Sequence, residues 1–85
     1  MTDEVICGFG RLGEWFGADY YNVKPDLMTF AKGVTSAYQP LGGLLIRGPL
    51  VEEIFESPGG SFVHGSTFGG HPVATAVAVA NITAM

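Results

Sequence analysis

The closing stretch from Pro72 to Met85 sets the strongest limit on what this chain can fold into. It runs through Val, Ala and Thr with no breaker, and Pro72 suits a first helical position, where its missing N–H costs nothing. Only Thr75, Asn81 and Thr83 relieve the apolar surface. A helix that is apolar nearly all round belongs inside something larger. No capping glycine or basic last turn precedes Met85, and at the other end Asp3 leads into a strand with almost nothing before it, so both ends read as cut from a longer chain. The charge balance agrees. Charged residues make up 14% and apolar residues 47%, whereas typical globular chains carry about a quarter charged residues. At 85 residues, independent stability would be marginal, and much of this surface is expected to be covered by other protein.

Thirteen glycines and five prolines divide the rest into short elements. Val5 to Phe9 is apolar, is followed by Gly10, and reads as the end of a buried strand. Arg11 to Pro25 reads as an irregular connection with one helical turn. Asp26 to Ala31 and Gly43 to Ile46 are further strand candidates, the latter stopped by Arg47, Gly48 and Pro49. Pro49 to Phe55 fits a short helix, with Leu50, Val51, Ile54 and Phe55 on one face and Glu52, Glu53 and Glu56 opposite. Ser57 to Gly70 is loop.

Composition removes several function classes. Net charge is −4 with only four Lys and Arg, so there is no basic patch to neutralise a nucleic-acid backbone. One cysteine, Cys7, excludes an internal disulfide. Cys7, His64 and His71 on loops make a poor metal site, and no metal is expected. No signal-peptide pattern is visible, and no apolar run approaches the roughly 20 residues that span a bilayer. A reducing, cytoplasmic setting is therefore expected, without membrane partners. Asn81-Ile82-Thr83 matches a glycosylation sequon, which in that setting is coincidence.

Four stretches carry candidate chemistry. Gly8-Phe9-Gly10-Arg11-Leu12-Gly13 satisfies G-x-G-x-x-G, but no helix of useful length can follow it through Gly17, Asn22 and Pro25, so a glycine-rich turn is the better account. Lys32 follows the apolar run Leu27 to Ala31 and precedes Gly33. An amine held in an apolar, desolvated place has a lowered pKa, which favours Schiff-base chemistry; the plain alternative is a surface charge. Asp3, beside Glu4 at a strand end, is either a solvated acid or an anion able to hold a proton on a ring nitrogen. Gly65-Ser66-Thr67-Phe68-Gly69-Gly70-His71-Pro72 puts hydroxyls and flexible backbone before a helix start, as a phosphate site or as a simple capping loop.

Together these pieces resemble the class-III pyridoxal-phosphate-dependent aminotransferases. The resemblance rests on Asp3-Glu4-Val5-Ile6-Cys7-Gly8-Phe9-Gly10-Arg11-Leu12-Gly13, on Pro25-Asp26-Leu27-Met28-Thr29-Phe30-Ala31-Lys32-Gly33, on Pro40-Leu41-Gly42-Gly43, and on His64 to Pro72, in family order across nearly the whole chain. Glu14-Trp15-Phe16-Gly17 is most similar to the omega-aminotransferase branch, which uses pyruvate with amines or amino acids. The resemblance implies an α/β fold: residues 1–85 as an incomplete part of the large, pyridoxal-phosphate-binding domain of a fold-type-I transferase, a mostly parallel sheet with flanking helices. It implies that Lys32 forms the Schiff base with pyridoxal 5'-phosphate and then shuttles a proton. Asp3 would pair with the pyridine nitrogen and Val5 would pack on the ring face. Thr67, with Ser66 beside it, would reach the cofactor phosphate of a neighbouring subunit, so a homodimer is implied.

The sequence departs from the family at Ala37, where many relatives have glycine, and at Met1 and Thr2, where apolar strand residues are expected. The family's upstream phosphate cup, ring-stacking aromatic and carboxylate-binding arginine have no counterpart here, and neither Arg11 nor Arg47 takes the last role. The implied activity is transfer of an amino group between an amine or amino acid and a keto acid such as pyruvate, in a parent enzyme. The alternatives are other pyridoxal-phosphate chemistry such as an aminomutase, or a non-functional gene fragment. The 85-residue chain alone is expected to be inactive.

Overall fold

A computed structural model describes residues 1–85. Three short strands form one sheet in the order β1-β2-β3: β1 (Thr2–Asp3), β2 (Leu27–Phe30) and β3 (Gly43–Ile46). β1 runs parallel to β2, with Asp3 opposite Thr29, and β2 runs antiparallel to β3, with Phe30 opposite Gly43. The resemblance implied a mostly parallel sheet. Within this chain the sheet is instead mixed, because the connection out of β2 folds straight back alongside it. The longer stretch between β1 and β2, which holds the single-turn helix α1 (Gly17–Tyr20), leaves room for the crossover that a parallel pair needs.

β2, β3 and the helix α2 (Gly48–Glu56) lie where the apolar runs placed them. Pro49 sits in the first turn of α2, and Leu50, Val51 and Ile54 are half-buried while the glutamates face water. Phe55 departs from that face and is 56% exposed, since nothing in the chain lies opposite it. The expectation for Val5 to Phe9 fails outright: β1 ends at Asp3, and residues 5–14 form consecutive turns and a bend. The chain doubles back at Gly8, whose N–H donates to Glu4 O at 2.9 Å and whose place leaves no room for a Cβ beside that carbonyl. Phe9 follows with φ 58 and Gly10 with φ 91, left-handed values that no strand contains. An apolar run of five fills such a turn as readily as a strand when its apolar side chains close on one another. Phe9 does so, edge-on to Phe16 at 5.2 Å and to Phe30 at 5.9 Å.

The helix α3 (Pro72–Ala84) begins at Pro72 as its sequence indicated, with His71 Nδ1 accepting from Ala74 N at 3.3 Å. Ala74, Ala78 and Asn81 share one face by helical spacing. The two alanines are buried and the helix lies on the 3₁₀ turn Lys32–Thr35. The opposite face is open: Val79 is 65% exposed. No helix is long and apolar enough to cross a membrane.

Eight of 85 residues are buried, so the core is a thin seam under Ala18, Val34, Ala74 and Ala78 rather than a centre. The accessible surface is 6235 Å², against roughly 4,800 Å² expected of a compact monomer of this mass.

Candidate functional site

Lys32 stands just past the C-terminal end of β2. Ala31 continues the extended backbone, and Lys32 then turns left-handed at φ 46, which for a residue with a Cβ costs about 1 kcal/mol. The reversal starts the 3₁₀ turn Lys32–Thr35, which closes with Ala37 N donating to Lys32 O at 3.0 Å. Ser36 and Ala37 are also left-handed, at φ 49 and φ 61. Lys32 opens on a pocket of about 450 Å³ walled by Phe9, Arg11, Ser36 and Ala37. No acidic side chain lines it, and the chain's one ion pair, Arg47 with Asp26 at 2.7 Å, lies elsewhere.

The expected desolvation of Lys32 is not found. The residue is exposed, because its left-handed backbone turns it away from the half-buried strand residues Phe30 and Ala31.

Asp3 is the last residue of β1 and is exposed. Its Oδ1 accepts from Val5 N at 3.0 Å, and Oδ2 has no partner in the chain. Because β1 and β2 are parallel with Asp3 opposite Thr29, Asp3 and Lys32 leave the same end of the sheet. Strand spacing and chain reach hold their Cα atoms within roughly 15 Å of each other. They do not share a cavity. Asp3 borders a separate pocket of about 280 Å³ with Glu4, Cys7, Gly17 and Tyr21. Val5 is half-buried in the turn that follows Asp3.

Ser66 and Thr67 are exposed in the loop before α3, where Gly69 N donates to Ser66 O at 3.0 Å. No hydrogen bond joins them to Lys32 or Asp3. The structure thus brings Lys32, Asp3 and Val5 to one end of the sheet and joins neither Ser66 nor Thr67 to them by a hydrogen bond. His71 is occupied as the cap of α3, His64 lies edge-on to Phe62 at 5.8 Å, and Cys7 is a half-buried free thiol. The G-x-G-x-x-G stretch is a loop, with Phe9 N and Gly10 N both donating to Trp15 O.

Two residues that the sequence did not single out hold this end of the sheet together. Glu4 is only 3% exposed, and its carboxylate accepts from Gly17 N at 2.9 Å and Ala18 N at 2.8 Å, tying the first turn of α1 to β1. Asn81 donates through Nδ2 to Gly33 O at 2.9 Å and Val34 O at 3.1 Å, and its Oδ1 accepts from Ser36 Oγ. For Glu4 the sequence offers no signal beyond an acid beside a strand. For Asn81 the signal was present: it is an amide on an otherwise apolar helix, and its pattern as a sequon obscured it.

The whole chain, residues 1–85, matches the family model of the class-III aminotransferases. It is 58% identical over 82 residues to the putrescine–pyruvate aminotransferase of Pseudomonas aeruginosa, covering 96% of this chain and 18% of that protein. It is 55% identical to the mitochondrial gamma aminobutyrate transaminase 1 of Solanum lycopersicum, covering 93% of this chain and 16% of that one. Among solved structures, it superposes on a thermostable (S)-enantioselective omega-transaminase from Thermomicrobium roseum with a TM-score of 0.88 at 51% identity, and on a transaminase from the marine bacterium Virgibacillus with a TM-score of 0.90 at 54% identity. In each case it covers 96% of this chain and 18% of the solved one. The chain therefore spans less than a fifth of the length of these relatives.

Proposed function

This chain belongs to the class-III aminotransferase family, and from that premise we propose that it is the lysine-bearing segment of the large domain of a pyridoxal-phosphate enzyme. That enzyme moves an amino group between an amine or amino acid and a keto acid such as pyruvate. The observation that carries the reading is the placement of one amine and one half-free carboxylate at the C-terminal ends of adjacent parallel strands. In open α/β sheets ligands bind beyond those ends.

The donor set fits the cofactor. Lys32 offers a primary amine on an open pocket with no acid to neutralise it, Asp3 Oδ2 is unpartnered, and Val5 beside it is apolar. When bound, pyridoxal phosphate supplies an electron sink for the pair released as a substrate C–H bond breaks. Lys32 Nζ is the covalent attachment point. With the cofactor and substrate bound, the freed Nζ would take the proton from the substrate carbon and deliver it to the cofactor's aldehyde-derived carbon, so that the amino group stays with the cofactor. Asp3 Oδ2 would accept a hydrogen bond from the ring nitrogen and so keep that nitrogen protonated. Val5 would lie against the ring face. Ser66 and Thr67, exposed and uncommitted within their own chain, donate to the phosphate held by a second subunit of a homodimer.

The test exchanges the matching segment of the Pseudomonas aeruginosa aminotransferase for these residues. Borohydride reduction of the exchanged enzyme should fix the cofactor on the peptide carrying Lys32. Lys32→Ala should abolish that label and lower kcat by roughly 10²–10⁴-fold. Labelling at another lysine, or full turnover in Lys32→Ala, ends the reading. Product analysis with putrescine and pyruvate distinguishes transfer to a keto acid from an internal amino shift.

A further inference from the structure

We propose that Asn81 is a positioning residue for Lys32, acting through the backbone that follows the lysine. The inference rests on the reading of Lys32 as the cofactor's attachment point. Lys32, Ser36 and Ala37 are three non-glycine residues held left-handed within six positions. Such backbone persists only where its surroundings over-determine it. Asn81 is the side chain that does so. Its Nδ2 donates to the carbonyls of Gly33 and Val34 and its oxygen accepts from the hydroxyl of Ser36, so three of its bonds fall on the segment between Lys32 and Ala37, with a longer contact from Nδ2 to Met85 Sδ at 3.7 Å within its own helix.

The geometry needs an amide. Aspartate at the same place would turn an oxygen toward two carbonyl oxygens, and a hydrophobic side chain would leave both carbonyls without these donors. Ala74 and Ala78, two turns and one turn before Asn81 on the same face, are small enough for α3 to come down onto the 3₁₀ turn and let a short side chain reach it. Val34, 3% exposed, and Thr35, fully buried, are the residues this closure covers. Thr35 Oγ1 donates to Gln39 O at 2.6 Å, which pins the far side of the turn but touches nothing next to Lys32. Without Asn81, the φ of Lys32 is held only by the backbone bonds of the turn, such as Ala37 N to Lys32 O at 3.0 Å, and relaxation toward the extended values of β2 would carry the amine away from the pocket bounded by Phe9 and Arg11.

The experiment uses the segment-exchanged enzyme with Asn81→Ala, Asn81→Asp and Ser36→Ala. In the cofactor-free protein, amide hydrogen exchange over residues 33–37 should be at least about tenfold faster in both Asn81 variants, since that peptide then opens locally. In the loaded enzyme, kcat should fall on the order of tenfold to a hundredfold, as expected for a reacting amine displaced by about an ångström. KM for the amine donor should stay within about twofold. The pH profile of kcat should shift, which a loss of stability alone would not produce. Ser36→Ala removes one bond at an exposed residue, and should show the same pattern at a few-fold. Unchanged exchange over 33–37 in Asn81→Ala overturns the proposal, as does unchanged kcat with an unchanged pH profile. If the Asn81 variants do not fold, an unchanged rate and exchange pattern in Ser36→Ala overturns it alone. The exchange measurement needs no cofactor, so it decides the role of Asn81 even where Lys32 fails to take the label.

Discussion

Glu4 and Asp3 are adjacent acids with opposite fates. Asp3 stays in water with one oxygen free, while Glu4 is enclosed and spends both oxygens on the first amides of α1. A carboxylate able to accept from two backbone donors removes the unsatisfied groups that a short helix leaves at its start. Glu4→Ala would leave the Gly17 and Ala18 N–H groups buried and unpaired, at a cost of about 2–4 kcal/mol. Thermal unfolding of the segment-exchanged enzyme should register this as a clear fall in Tm, and an unchanged Tm would show that water replaces the carboxylate. The two acids look alike in sequence because burial is set by what returns to meet them. The partner of Glu4 is thirteen residues away at Gly17, across turns that no periodicity announces. Lys32 was legible as a candidate from its place between Ala31 and Gly33. Its exposure was not, since a left-handed φ at a lysine has no sequence signature.

Among the elements, those bounded by proline or glycine were readable: α2 behind Pro49, α3 behind Pro72, and β3 before the Arg47-Gly48-Pro49 stop. Val5 to Phe9 misled because apolar content alone does not separate a strand from a turn closed by aromatic contacts. Gly60 marks a further element boundary. A Cβ there would lie 2.7 Å from Ser57 O and 2.9 Å from Phe55 O, and against Ile54 O as well. The glycine lets the chain pass directly under the last carbonyls of α2, with Gly60 N donating to Ser57 O at 2.7 Å. Gly60→Ala should destabilise the end of α2 by about 1–3 kcal/mol, visible as faster amide exchange at Ser57 and Gly60. Protection equal to that of the parent would show that the loop has another path.

At the scale of the whole molecule, the radius of gyration is 14.3 Å, where a compact chain of this length has about 12 Å. The extents of 41 × 33 × 18 Å describe a slab. With Phe55, Val73 and Val79 each more than half exposed and both sheet edges unpaired, the isolated chain should self-associate. Light scattering over micromolar concentrations should show mass rising with concentration. A single 8.9 kDa species across that range would contradict this. The nearly all-apolar surface of α3 raises the same expectation from the sequence. The antiparallel return of β3 was not announced, because strand direction depends on a connection whose course is set by tertiary contacts.

The bond from Asn81 to Gly33 spans 48 positions of sequence. During synthesis the ribosome releases the lysine long before it releases the amide that latches the neighbouring carbonyls. The nascent loop therefore emerges without that latch until the last helix docks, so a product truncated before residue 81 would carry Lys32 on an unfastened strap.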